Sequence, residues 1–361
     1  MLRVLAINVG SSSLKYALFD GGTPVLRAEI ERLGDGPDRH AAAVDAALAE
    51  LARRGERRPD VVGHRVVHGG PDRDAPARVD AALLDELRVL IPFAPDHLPA
   101  ELAAIAAVAA RWPDVPQVAC FDTAFHRTMP DSAQRYAVPD ELFALGVRRY
   151  GFHGLSYDHA VHTLGAGTLG RAVIAHLGHG ASMVAVRDGR AIDTTMGMSP
   201  AGGMIMGTRT GDLDPGVMLF LLAHHHDPAS LAQLVHHDGG LRALSGGSSD
   251  MRDLLARRAT DARAARAVAA FCMSARKWIG ALAATLGGLD TLVFTGGIGA
   301  RSPVIRAEIA AGLEHLDVWL DEARNWRNAA LISSDSSKCD VRVIEADEEA
   351  TIARLVTSAL R

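Results

Sequence analysis

The sequence predicts an α/β protein built from two related domains, and three observations carry that expectation. The chain has 361 residues, more than one hydrophobic core ordinarily organises. Strand-like and helix-like runs alternate along it, the pattern of an α/β architecture. A strand, a short glycine/serine loop and a second strand occur near the start of each half, at residues 4–19 and again at 173–187.

Taken in order, residues 4–8 read as a strand, Val9-Gly10-Ser11-Ser12-Ser13 as a tight loop and residues 14–19 as a second strand. An alanine-rich helix follows over about 41–54. Strands are expected at 61–67 and 115–121, with a helix near 100–110 between them. The opening pattern then returns: strand 173–177, loop Gly178-His179-Gly180-Ala181-Ser182, strand 183–187, and the hairpin signal Asp188-Gly189 leading into 191–194. Asp214-Pro215-Gly216 caps a helix running to Leu222, with proline at its first position. A long helix over about 262–286 leads to a strand at 291–294, a loop Thr295-Gly296-Gly297-Ile298-Gly299 and another helix. Residues 333–339 read as a polar surface loop, 341–344 as a late strand, and the terminal helix starts around Asp347.

Composition narrows the function. The net charge is −5 with no long run of like charge, which argues against nucleic acid or an anionic membrane as partner. Cys120, Cys272 and Cys339 lie far apart and form no CxxC pair, so free thiols are expected rather than a disulfide frame or structural zinc site. Residues 1–8 run straight into a strand without a signal-peptide pattern. No uninterrupted apolar stretch approaches bilayer length, and a cytoplasmic location is expected.

Several residues could carry chemistry. Gly10 to Ser13 with Lys15 could cradle phosphate through backbone N–H groups and one point charge, or form a plain hairpin turn. It is not a Walker A loop, since the spacing fails and a strand follows. Two further glycine-rich loops, 178–182 and 296–299, each leave a strand end, as a nucleotide gripped from both sides requires. Arg65 lies in Val61-Val62-Gly63-His64-Arg65-Val66-Val67-His68-Gly69-Gly70, where strand alternation puts Arg65 and Val67 on one face. A guanidinium fork beside an aliphatic wall suits a small carboxylic acid; the alternative is a structural ion pair. Asp122 ends an apolar strand and either caps the next segment or serves chemistry at that sheet edge. His153 and Arg209, on loops with neighbouring glycines, could neutralise a phosphoryl group or have structural partners. His224-His225-His226 and His236-His237 fall near helix ends, where solvated histidine is favoured, and show no metal-ligand spacing.

Together these segments resemble the acetate kinase family, also called acetate/propionate kinases. The resemblance runs in order through Ile7-Asn8-Val9-Gly10-Ser11-Ser12-Ser13-Leu14-Lys15, the Arg65 segment and Phe121-Asp122-Thr123-Ala124-Phe125-His126. It continues through Tyr150-Gly151-Phe152-His153-Gly154, Met206-Gly207-Thr208-Arg209, Ser248-Ser249-Asp250-Met251-Arg252-Asp253, Phe294-Thr295-Gly296-Gly297-Ile298-Gly299 and Asp347-Glu348-Glu349. It implies two duplicated actin-like (ribonuclease H-like) domains, 1–126 with 350–361 and 127–349, with a nucleotide cleft between them. It also implies a homodimer that moves phosphate between ATP and acetate. By the same resemblance Arg65 binds the acid, with Val67 and Pro200 lining its pocket. Asp122 is the acidic residue beside the reacting carboxylate, and His153 and Arg209 stabilise the phosphoryl group. Asn8 and Glu348 place Mg²⁺, or Mn²⁺ in its place, and Lys15 lies near the phosphates. His176, Leu177, Gly178, His179, Gly180, Asp250, Met251, Arg252, Gly296, Gly297, Ile298 and Gly299 hold ATP or ADP.

The chain also departs from that pattern. It is shortened between Asp20 and Val61. His179 and Asp347 stand where asparagine is usual, and Ala300 where glutamate is common. Asp96 replaces an apolar residue of the acid pocket, Leu98 replaces asparagine, and Ala201-Gly202 thin the segment after Pro200. An inward Asp96 would repel acetate; an outward one would not.

Overall fold

The computed structural model describes residues 1–10, 13–31, 33, 36–224 and 226–360, so Ser11, Ser12 and His225 of the expected motifs lie outside the described residues. The chain forms two compact units. Met1–Arg127, Phe152–His159 and Asp347–Arg361 make one, and Thr128–Gly151 with Ala160–Ala346 the other. Phe152–His159, inside the stretch 127–349 assigned by sequence to the second domain, packs with the first unit. Leu155 enters that unit's core, and the Gly154 N–H donates to the Asp122 carbonyl at 3.1 Å.

The first unit is built on six strands: β1 (Arg3–Val9), β2 (Ser13–Asp20), β3 (Thr23–Glu31), β4 (Val61–Val66), β5 (Ala77–Arg78) and β6 (Gln117–Phe121). Their order is β3-β2-β1-β4-β6-β5. The first three form an antiparallel meander, and β4 and β6 run parallel to β1. Every residue of β1, β4 and β6 is buried, as parallel strands covered on both faces require. Val44, Leu48 and Leu51 of helix Pro37–Arg53, with Ala104 and Val108 of helix Leu98–Arg111, cover one face against Leu5, Ile7 and Leu18. The terminal helix Glu348–Ala359 covers the other, with Ile352 and Val356 against Val4, Ala6 and Val61.

The second unit repeats the plan. Strands β7 (Arg171–Leu177), β8 (Ala181–Arg187), β9 (Arg190–Thr194), β10 (Thr291–Thr295) and β11 (Asp340–Val343) are ordered β11-β10-β7-β8-β9. Again three strands form a meander and two more run parallel to the first. The Asp188-Gly189 turn has φ of 52° and 75°, as the tight hairpin signal predicts. Helix Ala262–Leu286 is long and apolar enough to cross a bilayer by length and composition alone. It is nevertheless a core helix: Val268, Phe271, Ile279 and Leu282 are buried at helical spacing, and Arg276-Lys277 interrupts its apolar run.

Three local expectations change. No strand was expected at Thr23–Glu31, whose Leu-Arg-Ala-Glu run favours helix; pairing with β2 overrides that preference. The run 296–299 is not a loop but the first turn of helix Gly296–Arg301. Ser333 and Cys339, at the ends of the expected surface loop, are buried.

Gly63 lets the terminal helix lie directly on β4. A Cβ there would come within 2.5 Å of Ile352 Cγ2 and 2.7 Å of Val356 Cγ2. Gly63→Ala is expected to lower stability by about 1–3 kcal/mol through overpacking, read as a lower urea midpoint at unchanged slope.

Candidate active site

The first unit gathers charge at one edge of its sheet. Arg65, at the end of β4, is almost fully buried and donates from Nε (3.1 Å) and Nη2 (2.7 Å) to Asp122 Oδ2. Its Nη1 donates to the Val9 carbonyl at 3.1 Å, and Glu348 Oε2 lies 3.8 Å from Nε. Burial opposes the guanidinium charge, but Asp122 and Glu348 outweigh it and hold Arg65 protonated. Three of the five guanidinium N–H groups are used in these bonds, leaving, among the described residues, one on each terminal nitrogen.

Asp122 does not cap the following segment. It accepts from Arg65 through Oδ2, and its other oxygen, Oδ1, is buried. The structure therefore shows the ion-pair alternative for Arg65, with Asp122 as its partner. Asn8 on β1 donates from Nδ2 to Glu348 Oε2 and to Glu349 Oε1, both at 2.8 Å. These two carboxylates occupy the first turn of the terminal helix, where the helix dipole favours negative charge. Asp347 caps that helix by accepting the Ala350 N–H, and Arg27 on β3 donates to both Asp347 oxygens.

His153 joins this group through backbone geometry. It has φ of 60°, uncommon for a non-glycine residue, immediately before helix Gly154–Leu164. A Cβ on Gly154 would fall 2.0 Å from the Asp122 carbonyl oxygen, so only glycine lets the helix start there. Lys15 lies opposite Asn8 in the β1–β2 pairing, half-exposed and 3.8 Å from Glu29.

In the second unit the small-residue segments converge. Residues 178–180 connect β7 to β8, closed by Gly178 N–H donating to the Gly180 carbonyl. Gly296, at φ 76°, packs on the Leu177 carbonyl, and a Cβ on Gly178 would lie 3.9 Å from the Gly297 nitrogen. His179 covers Gly207, whose N–H donates to the His179 carbonyl. Burial and the charge of Arg209 both lower the His179 pKa, with Asp250 opposing. Arg209 also donates weakly to the Pro200 carbonyl at 3.4 Å. Asp250 caps helix Met251–Arg257 and pairs with Arg252, while Met251 is buried and His176 half-buried at the end of β7.

Glu348 and Glu349 offer hard oxygens, and Asn8 fixes both. One or two carboxylates completed by water and phosphate suit a small divalent ion such as Mg²⁺, so these residues fit it. Among the described residues no group of three or more His, Cys, Asp or Glu side chains could hold a metal ion.

With this geometry in place, comparison with known proteins is decisive. The sequence profile described as the Acetokinase family matches residues 28–354. The chain belongs to the acetokinase family. An acetate kinase of Arthrobacter sp. is 42% identical over 386 residues, covering 99% of each chain. The crystal structure of Porphyromonas gingivalis acetate kinase superposes with a TM-score of 0.88 at 34% identity, covering all of both chains. A propionate kinase from Francisella tularensis gives a TM-score of 0.91 at 30% identity, over 98% of this chain and 99% of that one. The acetate/propionate kinase neighbours have the two-domain actin-like fold, in agreement with the repeated strand order.

Within this acetokinase chain, three residues to which the sequence reading gave no role take structural prominence. Glu101 is buried and accepts the Val67 N–H through Oε2 at 3.0 Å. Glu349 shares Asn8 with Glu348. Arg306, fully buried, donates to the Gly299 and Ala300 carbonyls and to Asn325 and Asn328, fixing helix Gly296–Arg301 from behind. Adjacent acidic residues at a helix start were a signal for Glu349; Glu101 and Arg306 lie in ordinary helical sequence with no such mark. Of the departing residues, Asp96 is half-buried, Leu98 fills the core, and Ala300 is buried behind the glycine turn.

The buried ion pair predicts non-additive energetics. Removing Asp122 or Arg65 alone strands a buried charge and is expected to cost about 3–5 kcal/mol. Urea unfolding of Arg65→Met, Asp122→Leu and the double variant should show the double losing clearly less than the two singles together.

Proposed function

We propose that this acetokinase catalyses reversible, direct in-line phosphoryl transfer between ATP and acetate, giving ADP and acetyl phosphate. The observation that carries the reading is Arg65: a buried, permanently charged fork, clamped by Asp122, with two N–H groups left for a small carboxylate. Similarity to proteins named acetate kinase supports the same reading.

Acetate is bound by Arg65, with its methyl group against Val67 and Pro200. One carboxylate oxygen attacks the γ-phosphorus, the bond to the β,γ-bridging oxygen breaks, and ADP leaves. Acetate is already ionised near neutral pH, so no proton must be removed from the nucleophile and Asp122 has no duty as a general base. Its role is to hold Arg65 in place: the cation that Asp122 orients is the guanidinium. Both reactants are anionic, so the site must align them and offset charge on the phosphoryl oxygens, the part assigned to His153 and Arg209. Lys15 serves the phosphates. His176 to Gly180, Asp250 to Arg252 and Gly296 to Gly299 hold the nucleotide. Asn8 and Glu348 would hold Mg²⁺, or Mn²⁺ in its place, which supplies neutralising charge to the ATP phosphates when bound.

A second reading, a kinase for propionate or another short acid, is favoured by the Francisella propionate kinase likeness. Acyl phosphate trapped with hydroxylamine from ATP, Mg²⁺ and acetate, propionate or butyrate separates the two. Asp122→Asn keeps the shape of the pair and is expected to lower kcat on the order of a hundredfold, as loss of preorganised electrostatics does. Full activity in that variant would overturn the role given to Asp122. ATP binding with no acid-dependent turnover would leave a silent scaffold.

We also propose a cytoplasmic homodimer. Helix Pro215–Ala223 is apolar throughout yet has no buried residue, with Leu219 at 68% and Phe220 at 58% exposure. A second copy of the chain is the occupant this face suits. Leu219→Lys with Phe220→Glu should shift the protein from dimer to monomer mass in light scattering at micromolar concentration.

A further inference from the structure

Glu101 is a buried carboxyl that the proposed mechanism does not use. It lies in the first turn of helix Leu98–Arg111, only 2% exposed. Oε2 accepts the Val67 N–H just beyond the end of β4, while Oε1 has no hydrogen-bond partner among the described residues. The segment it fixes, 65–67, holds both Arg65 and the proposed pocket wall Val67. Arg65 and Asp122 are the two charges that act on it.

We infer that Glu101 is a positioning residue for the acid substrate: uncharged, it fixes Val67 and leaves the charge of Arg65 to the incoming carboxylate, whereas ionised it competes for that charge. The inference rests on the acetate kinase reading above.

The electrostatics support this division. Arg65 already faces Asp122 and Glu348, so its field is largely answered before a substrate arrives. Burial pushes the Glu101 carboxyl up to about 8, against the pull of Arg65 and with the help of Asp122. Below that pH the group is neutral and adds no negative charge. Above it, another buried carboxylate acts on the same guanidinium, and a substrate anion meets a weaker attraction.

Other titratable groups lie on the elements packed against this helix; on helix Pro37–Arg53, Asp38, Arg39, Asp45 and Arg53 are exposed, and Glu50 pairs with Arg53 and Arg54. His64 of β4 and His68, two residues beyond it, are held neutral by burial, their pKa lowered to about 4. His40 of helix Pro37–Arg53 is bonded to the Gly36 and Gly10 carbonyls. On β1, Arg3 is engaged with Glu56 and Asp20. In helix Ala81–Val89, Asp85 pairs with Arg88 and Glu86 with Arg73, at the surface. His97 precedes the helix, and its carbonyl accepts the Glu101 N–H.

The test is the pH dependence of KM for acetate between pH 6.5 and 9.5, with ADP quantified directly and KM for ATP measured alongside. Acetate does not titrate in this window, so its own ionisation cannot move the result. In the wild type, KM for acetate should stay level to about pH 7 and rise on the order of tenfold by pH 9.5, with kcat changing far less. Glu101→Gln keeps an oxygen for the Val67 N–H and cannot ionise; it should match the wild type at pH 7 and lose the alkaline rise. Glu101→Met, which removes the acceptor, should raise KM for acetate at every pH. A structural role alone would alter stability and both KM values without a pH profile belonging to acetate.

A flat wild-type profile, or an alkaline rise that survives in Glu101→Gln, overturns the inference and leaves the acetate kinase reading intact. Absence of acetate-dependent turnover in the wild type at every pH removes that reading, and the inference falls with it.

Discussion

The rest of the site depends on one interaction, the buried pair between Arg65 and Asp122. A guanidinium in a protein interior is tolerable only with a partner of opposite charge and with its N–H groups satisfied. Asp122 meets the first need and the Val9 carbonyl part of the second. The consequences spread outward from there. Adjacent parallel strands β4 and β6 must end level so that the two side chains meet. Gly154 must lack a side chain so that a helix can begin on the Asp122 carbonyl, and that contact draws His153 to the same edge. The terminal helix must start where Asn8 can receive Glu348 and Glu349.

The two units share one strand order but use it for different physical ends. In the first, the edge is rich in buried charge, which holds the Arg65 guanidinium in one orientation. In the second, the corresponding edge is rich in glycine. Gly178, Gly207 and Gly296 approach backbone or ring atoms at distances a Cβ would forbid or crowd. Positive φ at Gly296 and support from Arg306 beneath Gly299 and Ala300 make the glycine run a defined helix start rather than a mobile loop. Phosphate chemistry needs both kinds of surface: fixed charge where the acceptor is aligned, and close backbone approach where the nucleotide is held.

Buried and half-buried carboxyls crowd the first edge. Asp122, Glu101, Glu348 and Glu349 all lie near it, against Arg65, the amide of Asn8 and, beside Glu349, Arg27. Such an excess of acid is costly unless some groups stay protonated or a cation is bound. Glu101 illustrates the first solution, and the pairing of Glu348 with Glu349 at a helix start illustrates the chemistry that suits the second.

Much of this was legible in the sequence. Strand alternation, the two strand–loop–strand units, Asp188-Gly189 and the caps at Asp214 and Asp347 fixed most elements, because period, turn chemistry and capping are local properties. The same motifs placed the chain in its family and marked Arg65, Asp122, His153 and Glu348 as residues of interest. Strand β3 escaped notice because its residues prefer helix in isolation and only pairing with β2 makes them extended. The partner of Arg65 and the contact of Glu101 with Val67 were likewise invisible. These pairs are 57 and 34 residues apart, and only the folded sheet and its covering helix bring them together. Sequence by itself therefore determined which chemical groups the protein possesses and which elements carry them. Tertiary structure decided which charges face each other out of water, since burial and distance, rather than residue type, set their strength.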